Sequence, residues 1–291
     1  MSIIAIRILS AAAFVILAPL VGGLLDGVDR KITARMQGRV GPPILQPFYD
    51  VIKLMNKQLL DVERMQGLII LSFLFFMIFT GALFFAGVDM LLCMFALSTA
   101  EMFLILAATI THSPYSYIGS QRELMQMFCY EPMILLVPIG FYLATGSFKA
   151  IGTIMSATSP IIYTPGFFIA FIVVLTIKFR KSPFDFSTSH HAHQEVIKGI
   201  TTEMVGIRYA FMTIAEWYET VFLLAIVGLY FVNQNWWSYL IGLAVILAVY
   251  FFEILIDNTS ARVKWGTMLR ISWASTLIFC GINLLILDVM R

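Results

Sequence analysis

Apolar residues run along this chain in long blocks, without the alternation of a half-buried strand. A helix needs about 20 mostly apolar residues to cross the hydrocarbon core of a bilayer. Eight blocks meet or approach that length, near 3–25, 68–88, 90–110, 132–148, 161–177, 209–232, 236–256 and 271–287, the fourth, fifth and eighth being short. The stretch 68–110 is two spans long and carries only Asp89 and Glu101 as charges, which predicts a hairpin turning near Gly87-Val88-Asp89. The first block is too long for a signal peptide and ends in Gly22-Gly23-Leu24-Leu25 instead of a small-x-small cleavage site, so it reads as a retained span.

The polar segments between the blocks are unequal. Those near 26–67, 111–130, 178–208 and 257–270 fall on one side of an eight-span bundle and hold sixteen of the 19 Lys and Arg residues. Only Arg7, Lys149 and Arg291 fall on the other side. The positive-inside rule places the basic side in the cytoplasm and both ends of the chain outside. These segments read as docking loops. In the first of them, Pro47 suits the opening position of a helix. Phe48, Val51, Ile52, Met55 and Leu59 would then share one face, opposite Asp50, Lys53 and Lys57. That pattern predicts an amphipathic helix lying at the membrane surface or under a neighbouring protein.

Composition narrows the class. Hydrophobic residues make up 60% of the 291 and charged residues 12%, with a mean hydropathy of +0.89. So little charge excludes an ordinary soluble enzyme. The net charge of +2 offers no electrostatic footprint for nucleic acid. Cys93, Cys129 and Cys280 are isolated, with no C-x-x-C pair, so they read as buried apolar fillers and the chain is expected to ligate no iron–sulfur cluster. The expectation is an all-α, polytopic membrane protein forming one integral membrane domain over 1–291 in the cell membrane.

Acids inside spans are expensive, and they mark ion pathways when they pair or face a water-filled cavity. Glu101 falls mid-span and Glu131 at the head of the fourth block. Glu216 and Glu219 are spaced i,i+3, and Glu253 and Asp257 i,i+4. Such spacing puts each pair on one helix face, where two carboxyls can share a proton. Arg122, Lys178, Arg208, Arg262 and Arg270 are candidate counter-charges. His190, His191 and His193, with Asp185 and Glu195 nearby, lack a convincing metal-ligand spacing and suit a pH-sensitive interface or a proton entry better.

Several segments carry a resemblance. Asp29-Arg30-Lys31 is followed by Arg35-Met36-Gln37-Gly38-Arg39-Val40-Gly41-Pro42-Pro43-Ile44-Leu45-Gln46-Pro47, then Asp50 and Lys53. This run resembles the first cytoplasmic loop of the respiratory complex I membrane subunit that abuts the quinone chamber. Gly119-Ser120-Gln121-Arg122 with Gln126, Tyr130 and Glu131 resembles the third-loop motif of that family. Lys181-Ser182-Pro183-Phe184-Asp185 with Glu203 and Gly206 resembles its fifth-loop motif, and Ala215-Glu216 fits its sixth helix. The first loop is shorter than in complex I, and Ser187 to Glu195 replaces a run of acids. The His-Gln-Glu element, Thr201-Thr202-Glu203 and Ile256 to Arg262 are similar to the corresponding membrane subunit of the Ech-type energy-converting, membrane-bound [NiFe] hydrogenases.

The resemblance implies a non-catalytic subunit of an oxidoreductase complex, holding no redox centre. Its loops would dock hydrophilic [NiFe] hydrogenase large and small subunits and a ferredoxin-like iron–sulfur subunit, whose [NiFe] centre and [4Fe-4S] clusters evolve hydrogen from ferredoxin electrons. An antiporter-like membrane subunit would adjoin it. Glu131, Glu203 and Glu216 match acids of a carboxylate path joining the redox module to the membrane arm, which couples electron transfer to proton or sodium translocation. Val205 departs from the small hydroxyl residue of the complex I pattern. The alternatives are a quinone-site subunit of NADH:quinone oxidoreductase and a secondary transporter.

Overall fold

The computed structural model describes residues 3–58, 63–184, 187–188 and 197–289. Asp185, Glu195, His190, His191 and His193 lie outside the described residues. Within that set the chain folds as a helical bundle with no strand. Its elements are α1 (Ile3–Met36), α2 (Gln46–Met55), α3 (Arg64–Phe85), α4 (Met90–Thr109), α5 (Pro114–Thr145), the one-turn α6 (Ala150–Ile154), α7 (Pro165–Lys178), α8 (Ile207–Leu229), α9 (Trp236–Thr259), α10 (Trp265–Ser275) and α11 (Gly281–Val289). A π-helical turn over Thr276–Cys280 joins the last two into one rod.

Among the described residues, seven helices are long and apolar enough to cross a membrane: α1, α3, α4, α5, α8, α9 and the α10–α11 rod. The remaining predicted span is α7, whose 14 residues reach only about 21 Å, short of a hydrocarbon core about 30 Å thick. Lipid-facing side chains such as Ile16, Phe75, Leu240 and Leu247 project outward. Phe73, Phe141, Phe167, Phe171 and Phe222 fill the interior. The α3–α4 hairpin turns at Gly87, as the charge gap predicts, and α4 packs on α5, α5 on α7, and α8 on both α1 and α3.

Hydropathy misplaces the boundaries of three loops. The segment 111–130, expected as a loop, is helical from Pro114 onward, because α5 is a 32-residue helix about 48 Å long. Its first half is polar in sequence yet buried: Ser116, Ser120, Glu123 and Gln126 face protein instead of water. Gly119 permits this, since a Cβ there would lie 2.3 Å from the Ile200 backbone nitrogen. Likewise α1 continues through Asp26 to Met36, residues expected in the first loop. In the seventh loop only 260–264 are non-helical.

The amphipathic helix forms as α2, but its apolar residues divide between two faces. Val51 is buried, and Phe48 and Leu54 pack with it around Trp217 of α8, while Tyr49, Ile52 and Met55 are exposed. The three cysteines are free and buried, as expected.

Candidate functional site

The shortness of α7 builds the site. Lys178, its last residue, stops at the depth of the middle of α4 instead of at the bundle surface. The helix ends in a Schellman closure: the Arg180 N–H donates to the Ile177 carbonyl at 3.0 Å and the Lys181 N–H to the Thr176 carbonyl at 3.1 Å. The left-handed position of that motif normally takes glycine. Here Arg180 occupies it at φ 50°, a strained conformation for a residue that carries a Cβ. The turn aims three cations in three directions.

Each cation is divided between two acids. Lys178 Nζ lies 2.8 Å from Glu101 Oε1 on α4 and 2.6 Å from Glu219 Oε1 on α8, with all three side chains almost fully buried. The same ammonium sits 4.4 Å from the centroid of the Tyr130 ring. Arg180 contacts Glu216 on α8 and lies 3.3 Å from Glu123 on α5. Lys181 contacts Asp29 on α1 and lies 3.6 Å from Asp257 on α9. Asp257 also accepts the Ser182 N–H at 2.9 Å. Burial alone would disfavour the charged guanidinium of Arg180, but the facing Glu123 and Glu216 carboxylates outweigh it and hold its pKa well above the ordinary value. Arg180 is therefore a fixed positive charge.

These pairs border an open cavity of about 1000 Å³ lined by α1, α2, α8, α9, the turn after α7 and residues of the segment 197–201. Glu219, Glu216, Asp29 and Asp257 line it together with the three cations, whereas Glu101 and Glu123 stand behind that wall. Lys178 and Arg180 thus each link a cavity-side acid to a deeper one. Across the cavity, Arg30 donates to Asp26 at 3.1 Å and to Asp50 at 2.7 Å, and Gln46 donates to Asp50 at 3.0 Å, tying α2 to α1. Lys53 lies exposed on the cavity wall.

The predicted residues therefore separate into groups. Glu101, Glu216, Glu219 and Asp257 enter the network, and Glu131 lies beside it, its carboxyl accepting from Ser98 one turn before Glu101. Glu216 and Glu219, expected to share a proton, each meet a cation of their own: Arg180 pairs with Glu216 and Lys178 with Glu219. Asp257 meets Lys181, while Glu253, one turn earlier on the same helix, is buried, 0% exposed. Glu203 is half-buried in the segment before α8 and takes no part in the described ion pairs. Arg122 lies half-buried in α5, and Arg208 donates to the buried Gln66 at 2.8 Å. Gln37 bonds Asn258 and Arg39, while Arg35 is exposed. Gly41 takes φ 75° beside Pro42 in the turn that leads to α2, and Pro47 is buried in its first turn.

Sequence reasoning missed Asp26, Asp29 and Glu123, and it left Arg180 and Lys181 out of the counter-charges. The available signal was the motifs themselves: Asp29 opens the first-loop run, Glu123 follows Arg122, and Arg180 precedes Lys181, which opens the fifth-loop motif.

Known proteins share this architecture. The NADH dehydrogenase family matches residues 8–288. The H chain of the NADH-quinone oxidoreductase of Syntrophotalea carbinolica is 25% identical over 314 aligned positions, covering 96% of this chain and 91% of the relative. The H chain of the Bacillus cytotoxicus enzyme is 29% identical, covering 70% and 68%. In fold, the chain is similar to a chain in the structure of an archaeal respiratory membrane complex, the membrane-bound sulfane sulfur reductase. The TM-score is 0.85 at 23% identity, over 97% of this chain and 99% of that one. Matched over nearly its whole length, this chain belongs to the NADH dehydrogenase family, as a multi-pass membrane subunit of the complex I-like respiratory kind.

Proposed function

We propose that this chain is the subunit through which a complex I-like complex couples electron transfer, performed in a hydrophilic module seated over the cavity, to ion movement within the membrane. The observation that carries the reading is the buried Lys178 ammonium bridging Glu219 on the cavity wall to Glu101 in the middle of α4. A change of charge at the cavity is felt by Glu219 and Glu216. Because Lys178 and Arg180 are shared, strengthening one contact of either cation weakens the other. Protonation of Glu101 or Glu123 then follows, since a buried carboxylate that loses its cation is stable only as the neutral acid. Glu131, beside Ser98, is the next acid toward a neighbouring antiporter-like subunit. Redox centres belong to the partner subunits.

Names of the relatives support quinone as the electron acceptor. A specific observation favours the hydrogenase branch as the second reading. The cavity wall is crowded with charge, Arg30, Asp50, Arg180, Lys181, Glu216 and Asp257 among them, which suits water and ions better than an isoprenoid tail. The shortened first loop points the same way.

A pull-down of the tagged native subunit in mild detergent separates the two. Quinone reduction by the captured complex assigns it to the first branch, and nickel with hydrogen evolution from reduced ferredoxin to the second. Reconstituted in liposomes, Glu101→Gln and Lys178→Met variants should retain electron transfer with artificial donors and lose ion pumping. Pumping at wild-type stoichiometry in both variants refutes the coupling role.

A further inference from the structure

Two of the three cations connect a cavity-side acid to a deeper one, and the third arm has a deeper acid of its own. Glu253 lies on α9 one turn before Asp257, is 0% exposed, and neither of its carboxyl oxygens meets a hydrogen-bond partner within bonding geometry among the described residues. The groups that act on it electrostatically are Thr176 on α7, Lys181 on the turn after α7, and Asp257 on its own helix. Lys181 is engaged elsewhere, against Asp29, with Asp257 at 3.6 Å as its weaker partner. A carboxylate at Glu253 would stand uncompensated in a low-dielectric core, whereas the carboxylic acid is neutral there. Structural burial alone does not account for an acid at this position, because an apolar residue would fill the same space without desolvation.

We propose that Glu253 is a proton store at the end of the third arm, filled and emptied through Asp257, with Lys181 as the gate. In the loading step a proton from cavity water binds the Asp257 carboxylate. It then passes to the Glu253 carboxylate, which becomes the acid as Asp257 returns to its ionised form. Unloading is the reverse. While Lys181 leans on Asp257, that carboxylate stays ionised and the proton on Glu253 is trapped. When Lys181 leans on Asp29, Asp257 is free to carry the proton. Asp29 and Asp257 both line the cavity, so whatever alters charge there sets the gate. The assignment deepens the coupling reading and rests on it for the purpose of the store, but proton occupancy and its gating are measurable without pumping.

The test is infrared difference spectroscopy on the intact complex, purified through the tagged subunit and transferred from H₂O to D₂O. The wild-type minus Glu253→Gln spectrum should contain one protonated-carboxyl C=O band that shifts when glutamate is 13C-labelled. In Asp257→Asn the band should persist, with H/D exchange at least tenfold slower than in the wild type. In Lys181→Met exchange should be at least threefold faster. A difference spectrum without the band, or wild-type exchange in Asp257→Asn, overturns the store; wild-type exchange in Lys181→Met overturns the gate. If Glu253→Gln fails to assemble, the labelled band in wild type and its exchange in Asp257→Asn decide the matter. The pumping phenotype of Glu101→Gln does not enter these readouts, so the store and the coupling role fail separately.

Discussion

Replacing Lys178 by Met removes the ammonium and keeps most of the side-chain volume, so the effect is electrostatic. In the folded chain the ammonium stands 2.8 Å from Glu101 and 2.6 Å from Glu219. At an effective dielectric of about 20, each such contact is worth about 6 kcal/mol of Coulomb attraction before desolvation is counted. Desolvation of three buried groups offsets much of that gain. Removing one partner of a buried pair nonetheless costs about 3–5 kcal/mol, because the charges left behind lose their compensation. Lys178→Met is therefore expected to lose about that much stability. The triple variant Lys178→Met, Glu101→Gln, Glu219→Gln should recover at least half of the loss, since no buried charge then remains uncompensated. Reversible unfolding of the purified subunit in mixed micelles, followed by tryptophan fluorescence, measures both. A loss below about 1 kcal/mol in the single variant, or no recovery in the triple one, would show that the three groups do not form a mutually compensated unit.

The other predictions concern the turn, the packing and the thiols. Arg180→Gly relieves about 1 kcal/mol of left-handed backbone strain but strips Glu123 and Glu216 of their cation, so the net effect on the same unfolding assay is destabilising. Arg180→Lys preserves the charge, but one ammonium replaces the guanidinium fork that spans two acids. It should fall between wild type and Arg180→Gly. Gly119→Ala places a Cβ 2.3 Å from the Ile200 nitrogen and should cost about 1–3 kcal/mol or more, whereas Gly281→Ala, with nothing within 4 Å, should be neutral or slightly stabilising. The buried Cys93, Cys129 and Cys280 should resist a water-soluble maleimide in the folded subunit and react fully after denaturation, as counted by mass spectrometry. Rapid labelling of any of them in the folded state contradicts the packing described.

Legibility followed the strength of the physical signal. Glu101 could be picked out because an acid in the middle of an otherwise uncharged, mostly apolar block has few explanations. Glu123 could not, because it sits in a polar stretch that hydropathy assigns to a loop, and only packing against the turn at Gly199–Ile200 reveals that α5 has already begun. The spacing of Glu216 and Glu219 put them on one helix face, and both line the cavity, but it did not show that each meets its own cation. Spacing within a helix says nothing of cations supplied by a turn some 36 residues upstream, where Arg180 meets Glu216. Asp26 and Asp29 were hidden for a related reason. Read as loop residues after a span, they are instead the last polar turns of a helix that runs on to Met36.

The amino-acid sequence determined the solvent, the helical class, the hairpin at Gly87 and the basic side of the bundle. Each depends on block hydropathy or on charge counts, which are properties of neighbouring residues along the chain. Tertiary structure decided which acid meets which cation. The deciding quantity was the length of α7: at 14 residues it ends inside the bundle, so its three terminal cations meet acids from α1, α4, α5, α8 and α9. Such meetings are long-range in sequence and short-range in space, and a low-dielectric interior strengthens them in inverse proportion to the distance between the groups. Depth and rotation of the helices fix that distance, and both arise from packing rather than from composition.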